Sequence, residues 1–247
     1  MQPTASGIRA QGEAEYTGTI HANGRLEGSA VYSPLPHVLV NGAATFRPKI
    51  GDTTYTATRQ WEAGAGTYWA LGQHLIVTGM AGVGQANSRR GFLELPGIFS
   101  NAGVSLTDYQ ARYNKVYGQL GLHYDFRGGS IGANYRLTHL QFQSFTYRNS
   151  ELQMHLPVSM PRMLRHEPML YGRIDLDRAR PRRWQLQGSV GLSYSQGPEQ
   201  KGEERIFQQE INRTRMPLIS TSVGVVFRPD WLRGESKNSK AAAEKMR

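Results

Sequence analysis

Residues 184–194 alternate between apolar or small side chains and polar ones, the pattern of a β-strand with two unlike faces. One face would carry Trp184, Leu186, Gly188, Val190, Leu192 and Tyr194, and the other Gln185, Gln187, Ser189, Gly191 and Ser193. A strand rises about 3.3 Å per residue, so ten steps tilted by about 40° climb about 25 Å. The apolar band of a membrane β-barrel has this height, with aromatic rings at both edges. The segment therefore predicts a strand that crosses a membrane.

The same period of two recurs along the chain. It is found in residues 12–20, 26–32, 38–47, 61–69, 75–86, 115–126, 131–138, 167–177 and 219–227, which makes ten strands in all. Short turns at 33–37, 72–74, 127–129 and 179–183 alternate with longer links at 49–58, 87–108, 149–165 and 197–215, and only the first hairpin near 22–24 departs from this order. The pattern predicts an all-β fold, a closed antiparallel up-and-down transmembrane β-barrel of about ten strands.

We expect three regions along the sequence. Residues 1–10 form a flexible N-terminus, residues 11–228 form the barrel, and residues 229–247 form a basic C-terminal tail. Residues 1–10 contain no apolar core of a signal peptide, so this stretch shows no export signal of its own.

Composition narrows the class of protein further. Of the 247 residues 38% are hydrophobic, a low share that fits a barrel with a polar interior. No apolar run reaches about 18 residues, which excludes helical membrane spans. Cysteine is absent, so disulfides and thiolate metal sites are excluded. The net charge of +10 predicts anionic partners, and membrane lipid and lipopolysaccharide are favoured over nucleic acid because the bases form no aromatic-studded stripe.

The polar faces of the predicted strands carry charges that would lie inside the barrel. The predicted lumen network comprises Glu27, Glu62, Lys115, Asp125, Arg136, Arg173 and Asp175, and Glu15 falls on the same side. One interpretation is a selective aqueous pore, and the other is a lumen closed by paired acids and bases. The second is favoured, because ten strands enclose a narrow interior. On the outer face, an aromatic girdle is predicted at Trp61, Trp69, Tyr124, Trp184 and Tyr194.

Three successive stretches together form a strand ending in Tyr-Ser-Pro, a turn, and then glycine-alternating strands. They are LEGSAVYSPLPHVLVNGAATF (residues 26–46), WEAGAGTYW (61–69) and LIVTGMAGVGQ (75–85). These features resemble small outer-membrane β-barrel proteins of the Bacteroidetes type. The resemblance implies a protein of the bacterial outer membrane, with no catalytic residues to carry over. Such barrels usually end on an aromatic residue, which would be Phe227, yet twenty residues follow it here.

We expect a structural, narrow-channel or surface-binding role, no enzymatic activity, no cofactor, no metal site and a monomer. Two alternatives stay open. The first is a hydrolase acting on lipid, in which His166 at the rim would form a relay with Ser144 and Glu167. The second is a soluble β-barrel that binds an apolar ligand, which requires the apolar faces to point inward.

The outer loops, taken with the strand ends beside them, are also rich in arginine. These arginines are Arg89, Arg90, Arg112, Arg148, Arg162, Arg165, Arg213 and Arg215, and they would either bridge lipopolysaccharide phosphates or simply solvate the loops.

Overall fold

The computed structural model describes residues 1–94, 105–149, 154–157, 162–177, 179–196 and 218–229. These residues form eleven β-strands: β1 (Ala14–His21), β2 (Leu26–Tyr32), β3 (Val38–Arg47), β4 (Tyr55–Leu71), β5 (Leu75–Glu94), β6 (Ser105–Phe126), β7 (Gly129–Asn149), β8 (Met154–Pro157), β9 (Met163–Asp175), β10 (Trp184–Gln196) and β11 (Leu218–Phe227). Within the described ranges, no helix is long and apolar enough to cross a membrane.

All strands except the short β8 belong to one closed, antiparallel barrel. Each of these ten strands pairs with the next one along the chain, so that β7 pairs with β9. The short β8 pairs only with the end of β7, at residues 146–149. The barrel closes where β1 pairs with β11, from Tyr16 opposite Phe227 to His21 opposite Ser222. The predicted ten-stranded up-and-down barrel is confirmed.

The two faces of the wall are as the alternation predicts. Leu186 and Val190 are 41% and 47% exposed on the outside, whereas Glu62 and Arg173 are 4% and 1% exposed on the inside. The alternative of a soluble barrel with apolar faces inward is therefore wrong. A barrel whose outer surface is mainly apolar has the surface that a lipid environment requires.

The wall is much taller on one side than on the other. Strands β1, β2 and β3 have 8, 7 and 10 residues, whereas β4 to β7 have 17, 20, 22 and 21. We call the end with the short connections at residues 33–37, 72–74 and 127–128 the lower rim, and the opposite end the upper rim. The four long strands project beyond the others at the upper rim and form what we call the tall wall.

The tall wall corrects the predicted links at 49–58 and 87–108. Residues 55–58, 87–94 and 105–108 are strand, not loop. Polar residues occur on both sides of the sheet here, as Ser88 and Arg89 illustrate, so no regular alternation of apolar and polar residues marks these stretches in the sequence. The β6–β7 register shifts once between Arg112 and Tyr113, where a β-bulge accommodates an extra residue of β7.

The outer face changes from apolar to polar at a definite height. On β6 the outward residues from Val116 to Phe126 are apolar or glycine, and Asn114 and Arg112 follow above them. These ten steps correspond to about 25 Å for a strand tilted by about 40°. The barrel thus has an apolar band whose height fits a bilayer core, with the tall wall continuing above it.

The N-terminus is not the flexible segment apart from the barrel that the sequence suggests. Residues 2–8 lie inside the lumen, with Gln2, Ala5 and Ile8 8%, 7% and 1% exposed. Ile8 packs on the inward side chains of Leu39 and Ile76. We call residues 2–9 the strap. Its sequence has no period because its side chains face different strands in turn.

Glycines on the two faces of the wall provide a test of this packing. A Cβ on Gly82 would lie 2.4 Å from the carbonyl oxygen of Ala63, whereas a Cβ on Gly118 would meet nothing within 4 Å. We predict that Gly82→Ala lowers the free energy of unfolding by about 1–3 kcal/mol through overpacking. Gly118→Ala, the matched control, should change it by less than about 0.5 kcal/mol. Urea unfolding of both variants measures this, and equal midpoints would show that the inner face is not tightly packed at Gly82.

Candidate functional site in the filled lumen

The strap is held in the lumen through its own backbone. The backbone N–H of Thr4 donates to Oε1 of Gln119 at 3.1 Å, and Nε2 of Gln119 donates to the carbonyl oxygen of Thr4 at 2.6 Å. One side-chain amide thus satisfies both backbone polar groups of the buried residue Thr4. Further along, the N–H of Gly7 donates to Oε2 of Glu15 at 3.1 Å. Side chains of the wall therefore replace the ladder partners that a strand would supply.

Gln2 joins the other end of the strap to the opposite wall. Its Oε1 accepts from the hydroxyls of Ser189 and Ser222 at 2.8 and 3.1 Å, and its Nε2 donates to Oγ of Ser220 at 3.1 Å. The strap therefore contacts β6 through Gln119 and β10 and β11 through Gln2, which lie on different sides of the barrel. It spans the lumen.

A central ion cluster lies beside the strap and contains three of the predicted network residues. Glu62 bonds Nζ of Lys115 at 2.5 Å and Nη1 of Arg136 at 2.8 Å. Arg136 also donates to Oε1 of Gln119 at 3.1 and 2.9 Å, and its guanidinium lies 4.4 Å from the ring centroid of Tyr117. All three charged groups are nearly inaccessible to solvent. Burial removes the hydration of a charged group, and this free-energy cost is offset only when the charge is paired and hydrogen-bonded.

A second ion cluster, nearer the lower rim, contains predicted Arg173 together with residues that the prediction missed. Glu15 bonds Nη2 of Arg173 at 2.7 Å and Nη2 of Arg228 at 2.8 Å. The alternation had placed Glu15 on the inner face, so its role could have been found from sequence. Arg228 follows the last strand, where no pattern points to the lumen.

Asp125 lies in a third ion cluster at the lower rim. Its carboxylate bonds Arg9 of the strap at 2.7 Å, Arg182 at 3.0 Å and Nε2 of His123 at 3.1 Å. Nδ1 of His123 in turn lies 2.9 Å from the hydroxyl of Tyr171. Arg9 thus anchors the strap where it enters the barrel.

The remaining predicted network residues lie apart from these clusters. Glu27 lies 3.4 Å from Nε2 of His21 and accepts from the backbone N–H of Gln2 at 3.3 Å. Asp175 accepts from Nε2 of Gln185 at 2.7 Å near the lower rim. The seven residues therefore all face the interior side of the wall, but they form separate local groups.

A small cavity lies beside the strap. It is lined by strap residues Gln2, Thr4 and Ala5 and by wall residues that include Glu27 and Gln187, and it has a volume of about 20 Å³. This volume holds about one water molecule. The strap and the ion clusters together fill the middle of the lumen.

The predicted girdle residues lie on the outer surface near the edges of the apolar band. Trp61, Trp69, Tyr124 and Trp184 are 50%, 53%, 46% and 43% exposed, and Tyr194 is partly covered. Trp69, Tyr124 and Trp184 lie near the lower rim, and the ring of Trp184 lies 4.4 Å from that of Phe227. Trp61 and Tyr194 lie higher. The ring of Tyr194 stacks on His166 at 4.8 Å.

The residues suggested for a hydrolytic relay are not brought together. His166 faces outward and contacts the hydroxyl of Tyr135 at 2.6 Å, whereas Glu167 faces inward and accepts from Oγ1 of Thr138 at 2.9 Å. Leu137 pairs with His166, and Ser144 lies seven residues further along β7, about 20 Å away. This particular relay is wrong. In the parts of the chain that the structure describes, no group of three metal-ligating side chains is found.

The fold and the outward apolar band define the chain as a closed antiparallel β-barrel of the outer-membrane type. Its fold is similar to the outer membrane protease OmpT from Escherichia coli, with 7% sequence identity, a TM-score of 0.56, and coverage of 88% of this chain and 93% of that one. The translocator domain of the autotransporter NalP from Neisseria meningitidis follows with 10% identity, a TM-score of 0.41, and coverage of 87% and 86%. No protein-family model and no curated protein matches the sequence. At this identity, the likeness to OmpT supports the fold alone.

The central ion cluster yields a test of charge pairing. Glu62→Gln leaves Lys115 and Arg136 buried without their shared counter-charge, and we predict a loss of about 3 kcal/mol in the free energy of unfolding. Asp52→Asn, at an exposed turn position, removes the same charge and should cost less than about 0.5 kcal/mol. Equilibrium unfolding in urea compares the two variants. Equal losses would show that net charge, and not pairing in the lumen, sets the stability.

Proposed function

We propose that this chain is a closed, non-conducting β-barrel of the bacterial outer membrane, with a structural and surface-binding role. The observation that carries the proposal is the strap, which crosses the lumen and leaves a cavity of only about 20 Å³ beside it. Among the roles expected from sequence, this favours a barrel that acts through its surface over a narrow channel.

The outer surface supports placement in a membrane. An apolar band about 25 Å high matches the hydrocarbon thickness that outer-membrane barrels span. Aromatic rings such as Trp69 and Trp184 lie at its lower edge, and Trp61 lies at its upper edge. With the usual orientation of such barrels, the short connections face the periplasm and the tall wall faces outward. A Bacteroidetes origin and a monomeric state stay predictions from the sequence.

Interactions of the strap support a lumen that stays closed. If the strap left, the amide of Gln119 would lose two backbone partners, and Asp125 would lose its ion pair with Arg9. Removing one partner of a buried polar contact costs about 1–3 kcal/mol, and more for a charged group. Several such contacts act together, so the filled state is strongly favoured over an open one.

An enzymatic role has no positive support in the described residues, because the relay at His166 is not assembled there. The absence of enzymatic activity stays a prediction. Phospholipase and protease assays on the refolded barrel test it directly.

We predict that the wild-type protein shows no current steps in planar lipid bilayers, because the strap blocks the lumen. Removal of residues 2–8 should produce steps, since these residues occupy the middle of the barrel. Removal of residues 237–247 serves as the control and should leave the bilayer silent. A wild-type conductance equal to that of the strap variant would refute the closed barrel.

A further inference from the structure

The outer face of the tall wall carries an ordered array of polar residues directly above the apolar band. Cross-strand pairing from β4 to β7 aligns Trp61, Gln85, Asn114 and Gln141 in one row, and Arg59, Asn87, Arg112 and Ser144 in the next row up. The third row is Ala57, Arg89, Gln110 and Thr146. The first row already lies at the height of the aromatic edge, because it contains Trp61.

Three arginines of these rows form a triangle around Asn87. Arg59 and Arg112 are the direct cross-strand neighbours of Asn87 on either side, and Arg89 lies two residues above it on β5. Neighbouring strands are about 4.8 Å apart, so the Cα atoms of Arg59 and Arg112 are about 10 Å apart. Arg89 lies diagonally from each of them at about 7–8 Å. We call Arg59, Arg89 and Arg112 the arginine triangle.

Within the part of the chain that the structure describes, the triangle is accessible to a ligand. All three side chains are exposed, and the guanidinium of Arg59 lies 5.6 Å from the ring centroid of Phe46, which orients it along the surface. In the second and third rows no carboxylate stands among these arginines. The nearest carboxylate on β6 is Asp108, one row further up, where it lies opposite Arg148 and diagonal to Arg89. Guanidinium groups in such a cluster match phosphate in both charge and geometry.

The structure separates these arginines from others that the sequence analysis grouped with them. Arg90 pairs with Tyr109 and lies over the ring of Phe92 at 5.8 Å, on the inner side of the tall wall. Arg165 donates to the hydroxyl of Ser195 at 3.2 Å, also on the inner side. Arg213 and Arg215 lie outside the described residues. Arg59, Arg89 and Arg112 therefore form the best candidate site for the anionic ligand that the sequence predicts.

We propose that the arginine triangle binds the phosphate groups of a phosphorylated glycolipid of the outer leaflet. The inference rests on the proposed membrane placement. Acyl chains of such a lipid would lie against the apolar outward residues Val83 and Val116 of the same strands, and its phosphates would lie at the height of the triangle. A soluble anion would use only the upper half of this surface. The continuity of apolar band and cationic array on the same four strands is what selects an anionic lipid.

The experiment titrates bisphosphorylated lipid A into the refolded full-length protein in a zwitterionic detergent and measures Kd by thermophoresis. The variant R89Q/R112Q should weaken binding by at least about tenfold, because two charge-assisted contacts to phosphate are lost. The control R127Q/R180Q removes the same charge from exposed positions near the lower rim and should change Kd by less than about twofold. Circular dichroism and heat-dependent gel mobility verify that each variant is folded.

Each other outcome overturns the proposal. Equal weakening by both double variants would show attraction by net charge only. Equal affinity for phosphatidylglycerol, or displacement of lipid A by millimolar inorganic phosphate, would show a general anion site and not one for a glycolipid. Unchanged Kd in R89Q/R112Q would show that the triangle is solvated only. Failure of the wild-type protein to insert into vesicles would instead contradict the membrane placement, so the two proposals fail separately.

Discussion

Closure of the sheet is the constraint on which the rest of this structure depends. An open sheet leaves a row of unpaired N–H and C=O groups at each edge, and in lipid these groups find no water. Here six residue pairs between β1 and β11, from Tyr16–Phe227 to His21–Ser222, remove both edges. Once the sheet is closed, each strand has one face toward the surroundings and one toward a confined interior. The apolar exterior and the charged interior both follow from that division.

The interior is filled with compensated charge and a backbone segment, not with an apolar core. Glu62 and Glu15 each form ion pairs with two cations. Asp125 contacts Arg9, Arg182 and His123. Each cluster is local, so its geometry is fixed by the strands that carry it. The strap connects them, because Gln119 bonds both Thr4 and Arg136, and Arg9 bonds Asp125. The contacts that hold the strap in the lumen are thus in part the same contacts that pair the buried charges.

The alternation of residue types predicted which side chains face inward, as Glu62 and Arg136 show, because the pleat of a strand has a strict period of two. It could not predict the strap, since Gln2 and Thr4 belong to a segment without regular structure whose partners are more than 100 residues away. It also missed the upper halves of β4 to β7, where the outer face is polar and aromatic side chains such as Tyr109, Phe145 and Tyr147 pack together on the inner face. A membrane strand is recognised from sequence by an apolar outer face and a polar inner face, and above the apolar band of β6 this order is reversed, with Arg112 outside and Tyr109 inside.

The unequal strand lengths give the molecule a direction within the plane of a membrane. The seven residues of β2 and the 22 residues of β6 differ by 15 steps, which corresponds to about 40 Å of height for tilted strands. Among the described residues, the upper rim is therefore high on the side of β4 to β7 and low on the side of β1 to β3. The described strands thus present a tall vertical surface above the apolar band on one side of the barrel. In a membrane, a neighbouring protein would face either the tall wall or the low side of the barrel, depending on how the barrel is turned about its axis.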